Sequence, residues 1–347
     1  MRLLIFTQKI DRDDVVLGFF HEWVLEFAKT CESVSVICLY KGEYDLPKNV
    51  EVYSLGKEKS LGRVSYIINL YRHLSKLNDS YDRVFVHMNP IYVVLVGWYF
   101  NFKKIPVYLW YVHRNVDLKL RFALSFVKKV FSSAPESFRI KTSKVVFLGH
   151  GIETNRFPNS NHQYEGGELR IAHVGRVTPI KNLEVLIESV ALLKEKGLVL
   201  KLQLFGECAT PSDQKYKESL THLLAKKRLQ HEVYFAGAIK PQYLPQSLAE
   251  SHISVNLTPP GGMDKAVLEA ILLGLPTFVS NTAFKSVFGK YEELFIFQFK
   301  NPQDLANKIS SFVSLTSSQE IVRELEEKVR REFSLDYLVA RIINLMK

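Results

Sequence analysis

The chain has 347 residues, more than one hydrophobic core usually organises, so two domains are expected. With 47% hydrophobic and 24% charged residues it is neither disordered nor fibrous, and its longest apolar run, Ile91 to Phe102, falls short of the roughly 20 residues that a membrane-crossing helix needs. The formal charge of +10 sits mainly in the first half, where residues 1–158 hold 23 Lys and Arg against 15 Asp and Glu; within residues 100–144 the count is ten against two.

The opening MRLLIFTQK leads directly into a β-rich run without the apolar core and small-residue cleavage site of a secretory signal, so a cytoplasmic protein is expected. Strands are predicted at Arg2–Thr7, Val34–Tyr40, Val50–Ser54, Val84–His87, Val107–Val112 and Lys144–Phe147, alternating with helical patterns. Phe19–Thr30 carries the apolar stripe Phe20, Trp23, Val24, Phe27 of a helix with one buried face, and Lys119–Phe131 repeats apolar residues at helical spacing with Lys and Arg between them. That second segment, within the basic region, fits a helix resting on an anionic membrane as well as an ordinary core-facing one.

The polar stretch Pro158–Gly167 reads as a linker. Beyond it strands are predicted at Leu169–Val174, Lys201–Phe205, Glu232–Ala236, Ile253–Leu257 and Thr277–Ser280, with helices at Leu183–Lys196, Ser212–Lys227, Pro245–Glu250 and Lys265–Leu273 and a helical tail over Gln319–Met346. This alternation is that of βαβ units, giving an α/β fold of two Rossmann-like, doubly wound halves. Cys31, Cys38 and Cys208 form neither a disulfide framework nor a zinc pattern and are expected to be reduced, mostly buried thiols.

Chemistry concentrates in two segments. In Ile171–Lys194 an apolar strand leads through a glycine turn to a loop that holds Arg176 and Lys181, two cations able to face a diphosphate. In Leu257–Ser280, Pro and Gly bend a loop into a helix whose first backbone NH groups, near Asp264–Val267, can receive phosphate or sugar oxygens. Glu269 lies inside that apolar helix, where a hydroxyl-rich ligand, a capping NH or a Lys would meet its carboxylate.

The segments GHGIETNRF, VGRVTPIKN, LFGE, VYFAGAI and GGMDKAVLEAILLGLPTFVS, in this order over residues 149–281, resemble the landmarks of family-4 (group 1) GT-B glycosyltransferases, which retain anomeric configuration. The resemblance implies two facing Rossmann-like domains: residues 1–158 for the acceptor, 159–330 for a UDP- or GDP-sugar donor, and a final helix, 331–347, packing back on the first domain. It implies that Arg176 and Lys181 hold the donor diphosphate, that Glu269 takes the ribose hydroxyls, and that the Gly237–Lys240 backbone, Ile239 included, meets the base. Gly18, Gly175, Gly206, Gly262, Met263, Asp264, Lys265 and Ala266 complete the implied donor site, and His113, ending a strand, resembles the family's His beside the donor sugar. Asp13 and Asp14, in the loop Lys9–Phe19, are candidates for acceptor hydroxyls or for helix capping.

Where the family usually has a Glu eight residues before the ribose Glu, this sequence has Gly261, leaving Asp264 or the Gly262–Lys265 backbone for the sugar. The acceptor is expected to be a glycan or a lipid-linked hydroxyl. No metal, further cofactor or nucleic acid is expected. An inverting transferase using His113 or Asp13 as base, and a non-catalytic nucleotide-sugar or polyanion binder, stay open at this point.

Overall fold

In a computed structural model the described residues are all but 15 and 159–163, and part of the expected linker lies outside them. The chain divides into two units, Met1–Gly151 with Leu335–Lys347, and Ile152–Ser334. The sequence reading set these divisions at 158/159 and 330/331.

The first unit holds a seven-stranded parallel sheet in the order β3-β2-β1-β4-β5-β6-β7. Its strands are β1 (Arg2–Ile10), β2 (Ser33–Lys41), β3 (Val50–Ser54), β4 (Arg83–His87), β5 (Val107–Trp110), β6 (Val127–Ser132) and β7 (Val145–Phe147). Alternate residues point to opposite faces of a strand, and the two faces build separate cores. On one face Leu3, Ile5, Phe85, Tyr108 and Trp110 meet Trp23 and Phe27 of the helix Phe19–Thr30 and Leu338 and Ile342 of the helix Leu335–Met346. On the other, Leu4, Phe6, Val84, Val86, Val107 and Leu109 meet the helices Arg63–Lys76, Ile91–Phe102 and Leu118–Ala123. The last helix is tied down where Arg83 Nε donates to the Met346 carbonyl at 2.8 Å.

The second unit holds the parallel sheet β10-β9-β8-β11-β12, made of β8 (Leu169–Val174), β9 (Leu200–Phe205), β10 (Val233–Gly237), β11 (Ile253–Asn256) and β12 (Thr277–Val279). Strand order reverses at β1/β4 in one sheet and at β8/β11 in the other. In doubly wound sheets the carboxyl ends at that reversal open a crevice for ligands.

Two predicted elements are corrected. The stretch Lys119–Phe131 is not one helix: a helix covers Leu118–Ala123, and β6 follows. Its spacing misleads because the β5/β6 pairing slips, with Val107 opposite Val127 but Tyr108 opposite Lys129. This bulge puts Val127 and Val130 into the same core, three positions apart, as on a helix. The tail is two helices, Ser318–Glu332 and Leu335–Met346. Of the cysteines, all three free, Cys31 and Cys38 are buried and Cys208 is partly exposed; burial pushes the first two thiols up to about 11 and about 12. No helix among the described residues is long and apolar enough to cross a membrane.

Candidate functional site in the second unit

At the reversal of the second sheet, the loop after β8 and the loop after β11 converge on one carboxylate. Asp264 caps the helix Lys265–Leu272 by accepting from Ala266 N at 3.3 Å. Its other oxygen accepts from Lys181 Nζ at 2.5 Å and from Asn256 Nδ2, at the end of β11, at 3.0 Å. Burial works against this carboxylate, but the Lys181 charge and these bonds outweigh it and hold it below the usual range.

The Lys181 loop is fixed by Asn182, whose backbone is left-handed (φ 46°) and whose Nδ2 donates to Leu257 O at 3.2 Å. Asn is among the residues that adopt this conformation most readily. Arg176 lies exposed in the same loop. Gly175 has φ 157°, and a Cβ there would lie 3.2 Å from Lys181 Nζ and 3.2 Å from His173 Nε2. Gly206, at the end of β9, approaches so closely that a Cβ would sit 1.9 Å from Gly175 O, while its own NH donates to Gly237 O at 2.7 Å. The three glycines therefore close the carboxyl ends of β8, β9 and β10 into one backbone-lined rim.

On the helix Lys265–Leu272, Glu269 stands one turn beyond Lys265. Burial raises the Glu269 carboxyl against the pull of Lys265, and burial lowers Lys265 against the pull of Glu269. A partner bringing hydroxyl donors would relieve both, because it solvates the carboxylate in place of water. The turn before this helix is held from below by the fully buried Asn281: its Oδ1 accepts from Gly261 N at 3.3 Å and its Nδ2 donates to Gly262 O at 3.0 Å. Met263 is buried; Gly262 and Ala266 are half-buried, as is Ile239 in the loop after β10.

Sequence reasoning missed His173, Asn182, Asn256 and Asn281. Their one signal was a polar residue inside or ending an apolar strand or loop. His173 is fully buried in β8, with Nδ1 at 2.9 Å from Val255 O and no hydrogen-bond partner at Nε2. Burial, then the nearby Lys181 charge, pushes it down to about 4 and keeps it neutral.

The candidates of the first unit lie in two of its loops, after β1 and after β5. His113 is exposed after β5, its ring 6.4 Å from that of Tyr111. Asp14 accepts from Lys9 Nζ at 2.5 Å and from Leu17 N at 2.6 Å, so it organises its own loop, while Asp13 is largely exposed. At Gly18 the room for a side chain is filled by the loop's own backbone, with Asp14 O 2.4 Å from where a Cβ would stand.

The family model described as glycosyl transferases group 1 matches residues 156–331, just over half of the chain. The chain belongs to this family. The convergent loops described above all lie in the matched region of this group 1 glycosyl transferase. The poly(ribitol-phosphate) alpha-N-acetylglucosaminyltransferase of Staphylococcus aureus (strain COL) is 22% identical over 186 residues, which is 51% of this chain and 35% of that protein. The match thus spans about a third of that relative's length. Among solved structures, Anabaena HepE in complex with UDP is similar with a TM-score of 0.78 at 16% identity, over 100% of this chain and 99% of that one. Sucrose-phosphate synthase from Thermosynechococcus elongatus is similar with a TM-score of 0.71 at 14% identity, over 99% and 98%. These likenesses establish the GT-B fold class expected from the sequence.

Proposed function

We propose that this group 1 glycosyl transferase moves a sugar from a nucleoside diphosphate donor to a hydroxyl of a glycan or lipid-linked acceptor, with retention of configuration and without a metal. The observation that carries the reading is the convergence of Lys181, the Gly175–Gly206 rim and the Asp264-capped helix start at the reversal of the second sheet. When the sugar–phosphate bond breaks, negative charge builds on the departing diphosphate. Lys181, mobile once a phosphate competes with Asp264, and the exposed Arg176 offset that charge together with the helix NH groups. Glu269 takes the ribose hydroxyls, and the Gly237–Ile239 backbone meets the base.

UDP is the first nucleotide to test, because HepE has been solved with UDP and with UDP and glucose. His113 serves the donor sugar and Asp13 the acceptor in this reading. Retention requires the acceptor hydroxyl to attack from the face that the diphosphate leaves, without an enzyme carboxylate at the position of Gly261. The test is a panel of UDP- and GDP-sugars with the anomeric proton of the product read by NMR. The product is expected to keep the donor's configuration. The opposite anomer would replace this reading by an inverting one with a general base, and donor binding without any transfer would leave a binding protein.

A further inference from the structure

Three helices cover one face of the first unit's sheet: Arg63–Lys76, Ile91–Phe102 and Leu118–Ala123. Each has an inward stripe, with Leu70 and Leu74, then Val93, Val96 and Phe100, then Leu120 and Ala123 in the common core. Each also has a second apolar stripe turned outward. Relative exposure is 72% at Val64 and 51% at Ile68 on the first helix, 54% at Trp98 and 85% at Phe102 on the second, and 83% at Leu118 and 52% at Phe122 on the third. Within each helix these residues are four apart, hence on one side. The helix Ile91–Phe102 has no charged residue in its 12 positions. A helix apolar all round is normally enclosed, yet this one faces solvent.

Contacts tie the three helices together. Tyr71 Oη donates to Leu95 O at 2.8 Å, linking the first helix to the second. Gly97 on the second admits Phe126, which would stand 2.8 Å from a Cβ there, and Phe126 meets the Phe122 ring of the third at 5.3 Å.

We propose that this surface docks on a bilayer rich in anionic lipid. Charge identifies the occupant. Residues 57–129 contain 13 Lys and Arg against four Asp and Glu. Three of the four acids are engaged within the fold, Glu58 by Ser54, Asp82 by the Arg2 backbone and Asp117 as a helix cap, while the exposed Asp79 offsets one cation, Lys103. Lys104, Lys119 and Arg121 stand exposed beside Phe102, Leu118 and Phe122, the pairing of cations with apolar and aromatic residues that suits a headgroup layer. A second copy docked face to face would bring like charges together. A helix of 12 residues spans about 18 Å, short of a hydrocarbon layer of roughly 30 Å, so the helices lie on the surface rather than across it. This proposal does not rest on the sugar-transfer reading, since it concerns other residues and a readout without catalysis.

The experiment uses the whole chain with vesicles of phosphatidylcholine alone or mixed with phosphatidylglycerol, followed by co-sedimentation and tryptophan emission. Trp23 and Trp110 are buried, so the exposed Trp98 reports the contact. Binding to mixed vesicles, a blue shift, and loss of both at high salt are expected. Lys104, Lys119 and Arg121 changed together to Gln should weaken binding about tenfold or more, and Trp98→Ser with Phe102→Ser should abolish it with the melting temperature retained. Wild-type protein left in the supernatant with mixed vesicles at low salt would overturn the proposal. So would variants that bind as well as wild type, or a dimer that the apolar substitutions dissolve while lipid has no effect.

Discussion

Single residues at the second sheet's reversal divide into those that chemistry advertises and those that packing conceals. Lys181 and Asp264 are legible because a cation in a glycine turn after an apolar strand suits a phosphate, and an Asp before an apolar helix marks the helix start that it caps. Asn281 and His173 were not, since a polar residue in an apolar strand region usually satisfies only its neighbours. His173 nevertheless leaves a measurable mark. Its folded-state value, about 4, lies below the ordinary 6.5, so as pH falls through this window the unfolded chain takes up a proton that the folded chain refuses. His173 therefore contributes stability that is complete above about 6.5 and is lost as pH falls to about 4. Glu269, raised by burial, acts with the opposite sign, its contribution falling as pH rises through the acid range. The difference between wild type and His173→Phe isolates the histidine. In urea unfolding, wild type should lose about 2 kcal/mol more than the variant between pH 7 and pH 5. Parallel losses would show that His173 is not held neutral by its surroundings.

Among elements, the strands of the second unit were read within a residue or two of their true ends, because short β-branched runs between glycine turns have few other conformations. The failure at β6 has a local cause: the bulge opposite Val107 and Tyr108 shifts the strand's phase, so a period-two pattern imitates a helical one. The carboxyl-end rim makes the strictest structural demand. Gly206→Ala would press a methyl carbon against Gly175 O at φ 151°, costing roughly 2–4 kcal/mol and moving the Lys181 loop. Gly197, at φ 87° with open space around it, is the control, and its Ala variant should cost about 1–2 kcal/mol. Thermal melts of the two variants compare them. Equal shifts would mean that the close approach of β8 and β9 carries no special constraint.

The whole molecule repeats one architecture twice with different surfaces. The family match covers residues 156–331, where glycine turns and paired cations made the candidate site legible in sequence. The first unit was legible as a fold and much less as a site. Its loop acids serve Lys9 and backbone NH groups, and its outward apolar stripes are spread over three helices that only the folded chain brings side by side. In the proposed function the second unit binds a nucleoside diphosphate through Arg176 and Lys181. Calorimetric titration of UDP and GDP into wild type, Arg176→Ala and Lys181→Gln reads that binding. Wild type should bind one of the two nucleotides, and each variant should lose roughly 1.5–3 kcal/mol, about ten- to a hundredfold in affinity, with the fold retained. Unchanged affinity in both variants, or no binding of either nucleotide by wild type, would contradict it.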